Sequence, residues 1–132
     1  SRGLGDVYKR QVSVRTSAND DSSEAELTIK AGGKLYSRKA SGDGMIDAAT
    51  RAVNAITGLD MDIIDYRSES ATPGSEALGR ECVVVGNNGY RVKGHGIDSD
   101  TVRGAAKAYV DAVNRMRFVM DTVEAYKTRN QT

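Results

Sequence analysis

Cysteine occurs once in these 132 residues, at position 82, so an internal disulfide is excluded and a reducing compartment fits. Tryptophan is absent and phenylalanine single, which leaves aliphatic residues and alanine to build the core. No apolar run approaches the roughly 18 residues of a membrane span, and no signal peptide is visible, so the expected place is the cytoplasm. Neither charge dominates. The 19 Lys and Arg offset 18 Asp and Glu and are scattered, with neither the basic face of a nucleic-acid binder nor the Lys/Arg-rich side of a membrane-surface helix. There is no nucleophile–base pair, no Cys/His cluster and no phosphate loop, so no catalytic residue is assigned. The single histidine, His95, has no Cys or Glu at ligand spacing, and a solvated turn residue is the expectation rather than a metal ligand.

What is present is a repeat. Gly42-Asp43-Gly44 precedes an Ala-rich helical stretch from Ala48 to Ile56, and Gly94-His95-Gly96 precedes another from Ala105 to Val113. Two such turns, each before a helix, suggest a pseudo-symmetric domain with a small-ligand site where the units meet, because exposed amides there suit a carboxylate. A third glycine is missing, so this is not a dinucleotide fingerprint.

Between these landmarks the period of the apolar residues assigns the elements. Residues 1–11 follow no pattern and read as a non-native, adapter-like tail, which leaves 12–132 as one domain and implies a missing upstream part. Val12 and Val14, then Ala25, Leu27 and Ile29, alternate with polar residues as half-buried strands do, with a polar loop Ser17–Ser23 between them. Gly32-Gly33 turns the chain into a third strand, Lys34–Ala40. Ile46, Ala49, Val53 and Ile56 then recur at helical spacing, and Gly58 ends the helix. The second unit repeats the order. A strand over Leu59–Ala71 has Met61, Ile63 or Ile64, and Tyr66 facing inward; a turn covers Thr72–Ser75. A strand core spans Cys82–Val85, the hairpin Gly86–Gly89 follows, and Tyr90 and Val92 lead to the second Gly-x-Gly turn. The closing helix carries Val102, Ala106, Tyr109, Val113, Met116, Met120 and Val123 as a heptad seam, long enough that part of it is expected to pack on a partner chain. The fold predicted is α+β, two β-β-β-α units with antiparallel sheets and two helices, dimeric.

Most polar candidates also have plain structural roles. Asp43, Asp47, Asp98 and Asp100 all lie at helix starts, where capping accounts for them, although Asp47 and Asp98 also suit a ligand ammonium. Cys82 reads as core filling, Tyr66 as a core aromatic or a pocket wall, and the Met116/Met120 stripe as core or dimer interface.

Ser41-Gly42-Asp43-Gly44-Met45-Ile46-Asp47-Ala48-Ala49, Asp65-Tyr66, Gly74-x-x-Ala77-x-Gly79, Gly94-x-Gly96-x-x-x-Asp100 and Ala105 to Arg115 follow one another in an order that resembles a known family. It is the C-terminal regulatory (allosteric, dimerisation) domain of 2-isopropylmalate synthase, shared with citramalate synthase. The resemblance covers about residues 12–118. It implies a homodimer that binds the end-product amino acid, leucine in the first enzyme and isoleucine in many of the second, for feedback inhibition of branched-chain amino-acid biosynthesis. Carried over by motif, the effector candidates are Gly42, Gly44, Ile46 and Asp47 at the first turn, Ile63 and Tyr66 on the next strand, and Ile97 and Asp98 after the second turn. It implies no cofactor for this stretch: the acetyl-coenzyme A-dependent catalytic barrel, an acyltransferase with a divalent metal, lies upstream. A pure dimerisation module that binds no effector is the rival reading.

Overall fold

The computed structural model describes residues 11–19, 21–70 and 77–131. In chain order the elements are β1 (Gln11–Ala18), β2 (Ser23–Ala31), β3 (Lys34–Gly42), α1 (Met45–Thr57), β4 (Asp62–Ser70), β5 (Gly79–Asn87), β6 (Tyr90–Asp98) and α2 (Thr101–Arg129). Two antiparallel three-stranded sheets result, in orders β1-β2-β3 and β4-β5-β6. This is the α+β architecture expected. Of the adapter-like stretch only Gln11 is described, and it opens β1 opposite Lys30. The predicted turn Thr72–Ser75 lies outside the described residues.

The repeat has a fixed offset. β2, β3 and α1 begin at 23, 34 and 45, and β5, β6 and α2 at 79, 90 and 101, so each is displaced by 56 residues. The hairpins match as well. Gly32 and Gly33 have φ of 58° and 78°, and Asn88 and Gly89 have 51° and 84°, the paired positive angles of a two-residue turn that suits the strand twist.

That offset corrects the sequence reading at one point. Gly94-His95-Gly96 is no turn but part of β6, and its equivalent in the first unit is Arg38-Lys39-Ala40 of β3. Gly42 and Gly44 instead correspond to Asp98 and Asp100. The two Gly-x-Gly motifs are alike in letters and unlike in place. Gly94 and Gly96 exist for packing: a Cβ at Gly94 would stand 2.5 Å from the Ala112 nitrogen, and one at Gly96 2.7 Å from that of Ala108. Their absent side chains let α2 lie directly on the strand.

The core fills between sheets and helices. Ala25, Leu27 and Ile29 from β2 and Val83 and Val85 from β5 meet Ala48, Ala49, Ala52 and Val53 of α1 and Ala106, Tyr109, Val113 and Met116 of α2. α1 packs on β3 and β2, while α2 packs on β6 and β5 and reaches across to β1. The seam expected on α2 is therefore real up to Met116, with Met120 half-buried. Cys82 departs from expectation: it stands on the outward face of β5, opposite His95, and is only half-buried.

Candidate functional site

α1 opens without a side-chain cap. Gly44 holds the N-cap position in extended conformation and has no side chain to offer the first-turn amides. Asp47 turns back instead. Its Oδ2 accepts the Asp43 N–H at 3.0 Å and stands 3.3 Å from Arg51 Nε. Ile46 is half-buried on the same first turn. Gly42 is required for closeness, since a Cβ there would sit 2.6 Å from the Ala48 nitrogen. The corresponding end of α2 is closed: Asp100 Oδ1 accepts the Arg103 N–H at 2.9 Å. The start of α1 thus combines first-turn amides that no side chain caps with one carboxylate beside them.

Asp47 and Ile63 line one cavity of ≈ 830 Å³ together with Thr50, Arg51, Asn54 and Asp60. A β-bulge makes this possible. Ile63 pairs with Val85 and Tyr66 with Val83, so Ile64 is the additional residue between them. Strict alternation would set Ile64 and Tyr66 on one face; the bulge puts Ile63 and Tyr66 there instead. Ile64 covers Gly86, where a Cβ would meet its Cδ1 at 2.5 Å. Ile63 is 44 % exposed and half-buried Tyr66 lies beyond it on the same inward face.

Ile97 and Asp98 do not line this cavity. Ile97 borders a second one of ≈ 720 Å³, with Gln11, His95, Lys107, Asp111 and Arg115. The buried Asp98 carboxylate is held by Arg103 at 2.6 and 2.7 Å and by Lys107 at 2.8 Å. The Arg103 hydrogen bonds, opposed by burial and helped by Lys107, keep it well below the usual carboxylate range. His95 is exposed on β6, and its backbone N–H donates to Asp111 Oδ2 at 3.0 Å. Among the described residues no group of three or more His, Cys, Asp or Glu side chains converges.

Two cavity residues escaped the sequence reading. Buried Tyr109 donates its hydroxyl to Asn54 Oδ1 at 2.5 Å, and Asn54 Nδ2 donates to Asp60 at 3.3 Å, so the two helices and the start of the second unit are tied together at the cavity floor. Burial pushes the Tyr109 hydroxyl up. The signal was the polar stripe Asp47, Arg51, Asn54, Gly58 at helical spacing on α1, opposite its apolar one.

Residues 5–117 match the model of the LeuA allosteric (dimerisation) domain. The 2-isopropylmalate synthase of Ruminiclostridium cellulolyticum is 33% identical over 99 residues, which are 75% of this chain and 20% of that protein. That of Salmonella newport is 33% identical over 100 residues, 76% of this chain and 19% of that protein. The chain spans about a fifth of the length of these relatives.

Proposed function

The chain belongs to the LeuA allosteric (dimerisation) domain family, and from that premise we propose that it is the leucine-sensing regulatory domain of a 2-isopropylmalate synthase. The observation that carries the reading is the meeting of α1 and β4 at one cavity. An α-amino acid needs an acceptor for its ammonium, donors for its carboxylate and an apolar wall for its side chain. Asp47 in the cavity supplies the first, the uncapped first-turn amides of α1 next to it the second, and Ile63 the third, with Ile46 on the same first turn and Tyr66 beyond Ile63 on β4 extending the apolar surface. Asp98, engaged by two cations, takes no part in holding the ammonium.

In this reading leucine inhibits by binding one arrangement of the regulatory domain better than another, and a coupling of about 1–3 kcal/mol gives useful feedback. The domain also pairs with a second copy, as the family description states for its members. Phe118 and Tyr126, 71 % and 66 % exposed on the last turns of α2, suit such an apolar contact.

Asp47→Asn tests the site. The amide oxygen still accepts the Asp43 N–H, and the exposed ion pair to Arg51 contributes under about 1 kcal/mol, so the fold is unaffected. Calorimetry should show leucine affinity falling about tenfold or more as one charged contact is lost. Unchanged affinity in a folded variant would remove Asp47 from the site.

A further inference from the structure

Glu81 is 1 % exposed, the one carboxylate of the described residues so deeply buried, and no cation reaches it: among them no Lys or Arg nitrogen lies within 4.0 Å of its oxygens. Tyr66 donates its hydroxyl to Oε1, and Ser68 Oγ donates to Oε2 at 3.0 Å. On the other side the chain makes room for it. A Cβ on Gly104 of α2 would stand 2.9 Å from Glu81 Cγ, and one on Gly79 3.1 Å from Oε2. The repeat shows how unusual the arrangement is. At the offset of 56, Glu81 and Gly104 stand where the first unit has Ala25 and Ala48. A buried methyl has been exchanged for a carboxylate, and the helix facing it has given up its own methyl to fit. Burying a carboxylate costs several kcal/mol unless it is hydrogen-bonded, and glycine inside a helix costs about 1 kcal/mol more. Core filling does not ask for either.

We propose that Glu81 is a positioning residue of the effector pocket, fixing Tyr66 on β4 from below and joining it through Gly104 to α2. The proposal rests on the effector reading above. Tyr66 is an effector candidate that stands beyond the cavity residue Ile63 on the inward face of β4; its ring turns about the backbone only as far as its hydroxyl allows, and Glu81 holds that hydroxyl in place. Any shift of Tyr66 on ligand entry is then felt where Glu81 of β5 stands against Gly104 of α2. The titratable and charged groups around this contact are Tyr66 from β4, Asp98 from β6, and Arg103 and Lys107 of α2, which both bind Asp98. The Tyr66 hydroxyl, pushed up to about 12 by burial and then by Glu81, stays protonated and donates throughout the physiological range.

The test is calorimetric titration of the 132-residue chain with leucine, using Glu81→Gln and Glu81→Ala in both the native and the Tyr66→Phe background. Gln keeps an acceptor for Tyr66 and should bind within about threefold of the native chain, whereas Ala should lose about tenfold or more. In the Tyr66→Phe background the Ala change should cost less than about twofold, because the two residues act as one unit. Native affinity in a folded Glu81→Ala chain, or an equal loss in both backgrounds, overturns the proposal. Where Glu81→Ala does not fold, the ζ-carbon resonance of Tyr66, assigned with ¹³C-tyrosine by its loss in Tyr66→Phe, decides. It should move in Glu81→Gln, and an unmoved resonance overturns the proposal. If the native chain takes up no leucine, the effector reading itself has failed, and this resonance alone still decides whether Glu81 holds Tyr66.

Discussion

At Gly94 a methyl group would press into the backbone of α2, 2.5 Å from the Ala112 nitrogen, whereas at Gly44 it would meet nothing within 4 Å. The two glycines therefore answer differently to the same change. Gly94→Ala should lose about 3 kcal/mol or more in urea unfolding, since backbone cannot move aside as a side chain can. Gly44→Ala should cost no more than about 1 kcal/mol, the difference between glycine and alanine at a helix N-cap, since the methyl meets nothing. Asp98 gives a second residue-scale expectation. Its folded pKa is depressed below the ordinary 3.8, so its contribution is present above that value and is lost as pH falls through the folded one. Asp98→Asn should cost about 2 kcal/mol at neutral pH, less than a fully buried pair because Arg103 and Lys107 are partly exposed. The variant should also show a flatter decline of stability between about pH 5 and pH 2 than the native chain. Legibility at this scale was uneven. The hairpin glycines were readable because positive φ leaves a local mark in sequence. The packing glycines were not, because what they accommodate is a helix further along the chain, and the same letters also spell a turn.

Among the elements, β1, β2 and the apolar faces of both helices were readable from period, since each buries one face, and β3 was readable from the Gly32-Gly33 turn before it. β4 was only half so. Nothing local in Met61-Asp62-Ile63-Ile64-Asp65-Tyr66 says which isoleucine is the additional one; pairing with Val83 and Val85 decides it. α2 has a comparable division along its length. Met116 is fully buried and Phe118 is 71 % exposed, although they are two residues apart. Met116→Ala should destabilise by about 2–4 kcal/mol through the cavity it leaves, while Phe118→Ser should change the unfolding of a single chain by less than about 0.5 kcal/mol. Should Phe118→Ser unfold the chain at low protein concentration, the last turns of α2 are part of the core and not a surface for a partner.

For the molecule as a whole, the second and third strands and the helix of each unit repeat at 56 residues, and the two units differ at the helix starts where the proposed site lies. The first unit keeps Gly42 and Gly44 where the second has Asp98 and Asp100, so one helix start is left open and the other is closed by its own carboxylates. The sequence reading treated the two starts as equivalent because both follow a Gly-x-Gly. The candidate residues consequently divide, with Asp47 and Ile63 at one cavity, Tyr66 beside them, and Ile97 at another. The most direct measurement is calorimetric titration of the 132-residue chain with leucine, then with isoleucine and valine. Saturable heat with leucine preferred, and weakened in Asp47→Asn, is the expected result. A folded chain that takes up none of the three amino acids contradicts the leucine-sensing assignment and leaves a domain that only pairs.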